Sequence, residues 1–377
     1  MIERKLENII RRRLGTDMAI MVFGARQTGK TTLLETVFEY IDDVLWFNAD
    51  DSEDLQRLNA LFDDPEYFLD GIRYLVIDEA QAIENVGRKL KVLHDKYKHR
   101  LQIIATGSSS FDLANKVNEP MTGRKWEYHM HPLTFSEMCD HHGAETEKSL
   151  LKRRLLYGYY PNVVTHVGDE REVLAGLSNS TLYKDVLKFS EIRHADKIAD
   201  LLKALAHQIG RLVDYAELAT LLDLDQKTVR KYIRILEQAF IIFKLKPYSR
   251  NARNEIKSKH KIYFYDLGIR NALIGDWRSI NERDDAGHMF ENYVIAELKK
   301  TQKWENYYFW RDKKQQEIDL IQEVSGAVNA YEIKLSPKAK AKIPSSFIMR
   351  YAPKTAKIVN SSNFDELMAF SSANTLF

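Results

Sequence analysis

The residues best placed to do chemistry form the stretch Gly24-Ala25-Arg26-Gln27-Thr28-Gly29-Lys30-Thr31, which fits G-x-x-x-x-G-K-[ST] at every fixed position. The apolar run Ala19–Phe23 before it predicts a buried parallel strand, and residues 31–38 predict the opening of a helix. A glycine-containing loop between them can aim backbone N–H groups at nucleotide phosphates. Lys30 adds a positive charge, and the Thr31 hydroxyl adds a ligand for Mg²⁺. The predicted nucleotide contacts are Gly24, Ala25, Arg26, Gln27, Thr28, Gly29, Lys30, Thr31 and Thr32.

A pair of carboxylates, Asp78 and Glu79, directly follows the apolar residues 74–77. This run predicts another parallel strand, and ligands of parallel sheets gather at the carboxyl ends of the strands. We therefore expect Asp78 to hold Mg²⁺, directly or through water, and Glu79 to polarise the attacking water. The alternative is a strand that leads into an ordinary charged turn.

A third predicted strand, residues 101–105, ends at Thr106-Gly107-Ser108-Ser109-Ser110. The hydroxyl groups of this turn, Ser108 among them, are placed to meet the γ-phosphate or the attacking water. Serine and threonine are also ordinary turn formers, so both interpretations stay open.

Several motifs together carry a family resemblance. They are the phosphate loop, the box Val76-Ile77-Asp78-Glu79-Ala80-Gln81, the serine-rich turn, the pair Gly123-Arg124 and the segment His131-Pro132-Leu133-Thr134-Phe135-Ser136-Glu137. Over nearly its whole length the chain resembles the AAA-type ATPases of bacteria and archaea that carry a C-terminal domain of unknown function. The resemblance implies an ATPase core that uses ATP and Mg²⁺, a winged-helix segment and a restriction-endonuclease-like tail.

The same resemblance makes Arg124 a candidate arginine finger, which would reach a γ-phosphate in its own subunit or in a neighbouring one. A solvated surface arginine is the alternative. The sequence has no Asn-Lys-x-Asp box of the kind that guanine-binding proteins carry, so adenine is the expected base.

Length and composition predict several domains in one chain. At about 150 residues per domain, 377 residues suggest two or three, and 44% hydrophobic residues are enough to build their cores. No apolar run approaches the ~18 residues that span a bilayer, and the charged N-terminus lacks a signal-peptide pattern. We therefore expect a cytoplasmic protein with no membrane partner. A single cysteine, Cys139, excludes internal disulfides and cysteine-built metal sites.

The order of predicted elements indicates an α/β fold class. Alternating strands and helices from about Met18 to Tyr128 predict the doubly wound parallel sheet of a P-loop NTPase. A helical lid, a winged helix and a small α/β nuclease-like domain are expected to follow. The predicted boundaries are 1–130 for the ATPase core, 131–195 for the lid or linker, 196–270 for the winged helix and 271–377 for the C-terminal domain.

Residues 201–266 have the pattern of a winged helix, with helices predicted over 201–209, 215–222 and 226–239 and then two strands. The third helix has a basic face opposite its apolar face. The following hairpin, residues 244–261, holds seven Lys or Arg with a single acid, and Tyr248 is placed to stack on a base. This pattern favours DNA phosphates, although winged helices also serve as protein-binding modules. The basic face consists of Lys227, Arg230, Lys231 and Arg234.

The tail carries a second set of candidate residues. Asp319 lies on a predicted strand over residues 317–323, and Glu332 and Lys334 lie on the next, over 329–335, where residues two apart share a face. Asp319 and Glu332 are expected to hold Mg²⁺, with Glu291 closing the site from a helix and Lys334 acting on a metal-bound water. The pattern resembles the D…(E/D)-x-K site of restriction-endonuclease-like nucleases, but Ile318 replaces the usual proline. Simple ion pairs on a strand surface are the alternative.

Together these patterns predict an ATP-driven switch associated with DNA. The leading alternative is a regulatory or scaffolding ATPase whose C-terminal domains bind a protein partner or another copy of the chain, without nuclease activity. A kinase that transfers the γ-phosphate to a small acceptor is a third class, which the Asp78-Glu79 pair disfavours because such a glutamate acts on water.

Overall fold

The computed structural model describes residues 1–108, 120–178, 195–249, 259–301 and 306–373. These residues fall into two compact units. The first unit holds residues 1–133 and 238–240, and the second holds the other described residues from Thr134 onward.

The first unit is built on a five-stranded sheet whose strands run in the order β2-β3-β4-β1-β5, all parallel. Its strands are β1 Ala19–Phe23, β2 Val44–Asn48, β3 Tyr74–Asp78, β4 Gln102–Gly107 and β5 Lys125–His129. Its helices are α1 Lys5–Arg11, α2 Lys30–Phe38, α3 Ser52–Asp63, α4 Pro65–Phe68 and α5 Val86–Tyr97, with a 3₁₀ turn at Ala80–Ala82. The predicted α/β fold with a parallel sheet is confirmed.

Burial explains the strand order of this sheet. Every residue of β1, β3 and β4 is buried, as expected for central strands covered on both faces, whereas β2 and β5 are half-exposed edge strands. Leu6 and Ile10 bring α1 onto a core that also includes Leu33 and Leu34 of α2. The loop between β1 and α2 therefore rests on the best-packed part of the unit.

Among the described residues, the second unit begins with five helices of five to eight residues, and three helices of eight to thirteen residues follow. The first five are α6 Phe135–His142, α7 Ala144–Ser149, α8 Leu151–Tyr157, α9 Pro161–Thr165 and α10 Glu170–Gly176. The next three are α11 Ala195–His207, α12 Tyr215–Leu222 and α13 Gln226–Gln238. Asp214 accepts hydrogen bonds from the backbone N–H groups of Ala216 and Glu217, which explains why α12 begins where the sequence predicts.

A six-stranded mixed sheet completes the second unit, in the order β11-β10-β9-β8-β6-β7. Its strands are β6 Ile242–Pro247, β7 Lys261–Phe264, β8 Tyr307–Arg311, β9 Glu317–Val324, β10 Ala327–Ile333 and β11 Thr355–Val359. The remaining helices are α14 Leu267–Ile274, α15 Ala286–Lys299, α16 Ser345–Tyr351 and α17 Phe364–Ala373. Because β6 pairs with β8, the hairpin after α13 and the C-terminal strands form one sheet. The predicted boundary at residue 270 thus falls between strands of a single sheet.

Within the ranges described, no helix is both long enough and apolar enough to cross a membrane.

Candidate functional site

The phosphate loop connects β1 to α2, as its sequence predicts. Gly24 follows β1 directly, and a Cβ atom at this position would collide with the Met130 carbonyl oxygen. Gly29 precedes α2 with φ 93°, a left-handed conformation that favours glycine. The two glycines are therefore required by close packing at one end of the loop and by backbone conformation at the other.

Lys30 begins α2, and its side chain turns back into the loop. It is only 5% exposed, and its Nζ donates to the carbonyl oxygens of Gly24 and Ala25, each at 3.0 Å. The ammonium is thus held inside the curve of the loop by neutral oxygens. Phosphate oxygens are stronger acceptors for an ammonium than carbonyl oxygens, so this arrangement suits a ligand that replaces those contacts.

Asp78, at the carboxyl end of β3, meets the start of α2. Its Oδ2 accepts a 2.6 Å hydrogen bond from the Thr31 hydroxyl, and its Oδ1 accepts one from the Thr106 hydroxyl. The backbone N–H of Glu79 also donates to Oδ1 at 3.1 Å. Asp78 is 3% exposed, and among the described residues it forms no ion pair. A buried carboxylate beside a hydroxyl presents hard oxygen ligands, so Thr31 and Asp78 fit Mg²⁺.

Glu79 lies beside Asp78 in a left-handed backbone conformation, with φ 51° and ψ 42°. This conformation is uncommon for a residue other than glycine and is found preferentially at functional sites. The Glu79 carboxylate accepts a hydrogen bond from the Gln81 side-chain amide, and the Gln81 Oε1 accepts one from the Ser108 backbone N–H at 3.1 Å. Through these two hydrogen bonds, Gln81 connects Glu79, the residue predicted to polarise the water, to the end of β4.

Ser108 is fully buried immediately after β4, and the Gly24 N–H donates to the carbonyl oxygen of the preceding Gly107 at 3.3 Å. The structure thus brings Ser108 to the same edge of the sheet as the phosphate loop. Ser109 and Ser110, the rest of the predicted hydroxyl cluster, lie outside the described residues.

Arg124 lies at the amino-terminal ends of the strands, opposite the end at which the phosphate loop lies. Its carbonyl oxygen accepts from the N–H of Ala19, the first residue of β1, whereas the loop follows the last residue of that strand. Five residues of strand separate the two ends by about 15 Å. The Arg124 guanidinium donates to both carboxylate oxygens of Asp95 at 2.6 and 3.2 Å. This position contradicts the interpretation in which Arg124 reaches the γ-phosphate of its own subunit, and contact with a neighbouring subunit stays a prediction.

Arg4 supports the loop, which the sequence analysis did not foresee. Its guanidinium donates to the carbonyl oxygens of Thr28, inside the loop, and His131, each at 2.7 Å. The only signal in the sequence is a charged N-terminus, a pattern that normally indicates a solvated helix.

The basic face of α13 is exposed at all four positions, Lys227, Arg230, Lys231 and Arg234, while Val229, Ile233 and Leu236 are buried. The adjoining hairpin departs from the prediction. Tyr248 is 9% exposed and packs in a core with Tyr351 and Trp310, so it is not available to stack on a base. Lys261 is 2% exposed and cannot contact DNA. Sheet pairing buries both residues, because β6 lies next to β8.

The tail residues singled out by the sequence do meet in space. Lys334 Nζ lies 2.7 Å from Glu332 Oε1 and 3.3 Å from Asp319 Oδ2. A second ammonium, that of Lys261, lies 2.9 Å from Glu291 Oε1 and 3.8 Å from Asp319 Oδ1. The carboxylate cluster, defined as Glu291, Glu317, Asp319 and Glu332, therefore contains an internal cation that the sequence analysis missed.

Burial raises the pKa values of the carboxylates in this cluster, whereas the neighbouring ammonium groups lower them. Burial, reinforced by the Glu291 carboxylate, raises the pKa of Asp319 to about 7. For Glu291, burial also favours the neutral acid, but the Lys261 ammonium and hydrogen bonds outweigh it and lower the pKa to about 2. An ammonium in contact with Glu291 and Asp319 disfavours a second cation between them. Glu291, Asp319 and Glu332 therefore do not fit the predicted Mg²⁺ site, and among the described residues no group of three or more His, Cys, Asp or Glu is arranged to hold a metal ion.

Comparison with family models divides the chain into three matched regions. Residues 16–139 match the family described as AAA domain. Residues 148–279 match a domain of unknown function, DUF8612, and residues 286–370 match another, DUF4143.

Individual relatives cover most of the chain. An uncharacterized protein of Mycobacterium tuberculosis is 29% identical over 330 residues, covering 86% of this chain and 72% of the relative. An uncharacterized protein of Haemophilus influenzae is 24% identical over 307 residues, covering 75% of this chain and 74% of the relative. Among solved structures, the Walker-type ATPase of Pyrococcus abyssi has a TM-score of 0.50 and 15% identity, covering 72% of this chain and 96% of that one. The family and fold matches support an AAA-type ATPase.

Proposed function

We propose that this chain binds ATP at the loop between β1 and α2 and hydrolyses it with Mg²⁺. The observation that carries the proposal is the 2.6 Å hydrogen bond from Thr31 to the buried Asp78, with the buried Lys30 directly before Thr31 in the chain. In support of the proposal, a lysine, a hydroxyl group and a buried carboxylate lie at one edge of the parallel sheet. Ligands of such sheets bind at that edge.

Each residue has a separate task in the proposed reaction. Lys30 exchanges its carbonyl contacts for the β- and γ-phosphates and holds them in line for attack. Thr31 and Asp78 hold Mg²⁺, which when bound neutralises charge that develops on the phosphate oxygens. Glu79 orients the attacking water and takes up its proton, and Gln81 holds the Glu79 carboxylate by a hydrogen bond. The adjacent carboxylates favour water over a small acceptor, and so favour an ATPase over a kinase.

The first prediction separates nucleotide binding from hydrolysis. Lys30→Ala should abolish tight ATP binding because it removes the positive charge within the loop. Glu79→Gln should leave the Kd for ATP within a few-fold of the parent value and lower kcat by about 10²–10⁴-fold, because the amide cannot accept the proton. Isothermal titration and a phosphate-release assay measure the two effects. Hydrolysis by Glu79→Gln at the parental rate would show that another group acts on the water.

A second function, association with DNA, is favoured by the basic face of α13. Four exposed cations lie on the surface opposite the buried Val229, Ile233 and Leu236, so the helix can present them without losing its own packing. DNA binding through phosphates releases counterions, and affinity then falls steeply with salt. The alternative partner of this face is a protein, and an arginine finger shared between copies of the chain is a separate proposal for Arg124.

The second prediction tests the DNA proposal through its salt dependence. The triple variant Lys227→Ala, Lys231→Ala, Arg234→Ala should weaken binding to duplex DNA and flatten the plot of log affinity against log salt by up to about 0.9 per lost contact. Fluorescence anisotropy at several salt concentrations measures the slope. A matched control replaces Arg88, Lys96 and Lys98, three exposed cations around α5, and should retain the parental slope. Equal slopes for both triple variants would exclude the basic face from DNA contact.

A further inference from the structure

Lys261 connects three elements of the second unit through one buried ammonium group. It is the first residue of β7, and its side chain is 2% exposed. Its Nζ lies 2.9 Å from Glu291 Oε1 on α15, 2.6 Å from Glu317 Oε1 on β9 and 3.8 Å from Asp319 Oδ1 on β9. An isolated charge of this kind is costly to bury, so these carboxylates are what allow the ammonium to remain inside the protein.

With the exception of Glu332 Oε2, the cluster oxygens that could bind a metal ion are already in contact with donor groups of the chain. Glu291 Oε1 also accepts a 2.6 Å hydrogen bond from the Tyr263 hydroxyl. Asp319 Oδ2 accepts from the Ile333 backbone N–H at 2.8 Å and from Lys334 at 3.3 Å. A divalent ion would have to displace these donors and approach an ammonium that cannot move away without breaking its own contacts.

Glu317 and Glu332, the other two carboxylates of the cluster, each contact a basic side chain. Glu317 Oε2 lies 3.1 Å from the Arg311 guanidinium, and Glu332 Oε1 lies 2.7 Å from Lys334 Nζ. Glu332 Oε2 is buried without a hydrogen-bond partner among the described residues, and it is one oxygen on one carboxylate. A single oxygen does not make a site for Mg²⁺, which needs six ligands.

We propose that the Lys261 ammonium is the resident cation of the carboxylate cluster, in the place where a nuclease of similar pattern would hold a metal ion. The cluster then joins the β6–β7 hairpin to α15 and β9 and does not bind Mg²⁺ or Mn²⁺. This inference does not depend on the nucleotide chemistry of the first unit. It assigns a structural task to residues that the sequence pattern assigns to phosphodiester cleavage.

The test begins with metal binding to the 377-residue chain in the absence of nucleotide. An Asp78→Asn background removes the carboxylate ligand of the nucleotide site, so that only the carboxylate cluster is probed. Mn²⁺ binding is followed by electron paramagnetic resonance, and Tb³⁺ binding by luminescence sensitised through Tyr263, which hydrogen-bonds to Glu291. We expect the same Mn²⁺ and Tb³⁺ signals with and without a further Asp319→Asn change. A stoichiometric signal that Asp319→Asn abolishes would overturn the proposal.

A pair of Lys261 variants provides the second arm of the test. Lys261→Met keeps an unbranched side chain that is one atom shorter and removes its charge, whereas Lys261→Arg keeps the charge. If Lys261→Met folds, it should gain Mn²⁺ binding that Lys261→Arg lacks, because the carboxylates have lost their resident cation. If it folds and still binds no Mn²⁺, then Lys261 is not what excludes the metal, and the proposal fails. If Lys261→Met does not fold, the first arm decides, because it leaves Lys261 in place.

Discussion

Two buried aspartates, Asp78 and Asp319, occupy the two sheets of this protein in contrasting surroundings. Asp78 accepts hydrogen bonds from neutral hydroxyl and amide groups, and among the described residues it has no ion pair. Asp319 lies between two ammonium groups, Lys334 at 3.3 Å and Lys261 at 3.8 Å. The first site leaves a negative charge for a cation that arrives with a ligand, whereas the second is neutralised within the chain. A carboxylate motif therefore predicts a metal site only when its surroundings lack a competing cation.

The buried lysines of the two sites differ in the same way. Lys30 contacts two backbone carbonyl oxygens, which carry no net charge, while Lys261 contacts three carboxylates. Removing Lys261 therefore takes a positive charge away from three carboxylates, whereas removing Lys30 takes one away from two neutral carbonyl oxygens.

The largest expected effect comes from replacing these two lysines with the same residue. Lys261→Met should lower the free energy of unfolding by about 3–5 kcal/mol, the usual cost of leaving a buried ion without its partner. Lys30→Met should cost less, about 1 kcal/mol, because its hydrogen bonds to Gly24 and Ala25 are made to neutral oxygens. Urea unfolding followed by circular dichroism compares the two. If both variants lost the same free energy of unfolding, the three carboxylates around Lys261 would not stabilise its ammonium more than the carbonyl oxygens stabilise that of Lys30.

A smaller effect is expected when each aspartate is replaced by asparagine. Asp78→Asn should reduce Mg²⁺-dependent ATP turnover by about 10²-fold, because it weakens stabilisation of charge in the transition state. Asp319→Asn should keep turnover within about two-fold of the parent value, since its partners are internal. Steady-state phosphate release at several Mg²⁺ concentrations measures both. A large loss of turnover in a folded Asp319→Asn variant would mean that the carboxylate cluster communicates with the nucleotide site.

The last prediction concerns the pH dependence of stability, which should be affected by Asp319. Burial and the Glu291 carboxylate raise the pKa of Asp319 from 3.8 to about 7, so the folded state holds its proton more tightly than the unfolded state. The free energy of unfolding should therefore fall as pH rises from about 4 to about 7, and it should level off above that range. Asp319→Asn should lack this decline, whereas Asp319→Glu should keep it. A decline of equal size in the asparagine variant would assign it to another group.

The proposed nucleotide site could be predicted from sequence because most of its residues lie in one short segment. Loop residues 24–32 are contiguous, and the β3 strand places Asp78 and Glu79 at the same sheet edge by the general rule for parallel sheets. Gln81 and Arg4 were not assigned because a hydrogen bond to a carboxylate or to a loop carbonyl has no periodic pattern. For Arg124 two interpretations were open, and its position before β5, at the opposite end of the strands from the loop, disfavours contact with a γ-phosphate in its own subunit.

In the C-terminal domain, local sequence patterns predict some contacts of the carboxylate cluster but not the contact with Lys261. Asp319, Glu332 and Lys334 were grouped correctly because adjacent strands and a spacing of two place them on one face. Lys261 precedes Asp319 by 58 residues, and the charge pattern of its own segment indicated a DNA-binding wing. Its burial, and that of Tyr248, follows from the pairing of β6 with β8, which is a long-range contact that local patterns do not contain.

The continuity of the second sheet also sets a limit on how the chain can be cut. A fragment that starts after residue 270 would lose β6 and β7, and β8 would expose the backbone groups that pair with Lys246 and Pro247. Unpaired strand edges promote aggregation, and the same cut would leave Glu291 without the Lys261 ammonium. The tail is therefore expected to misassemble when expressed alone, whereas a fragment that begins before α11 retains both its strand partners and its counter-ion.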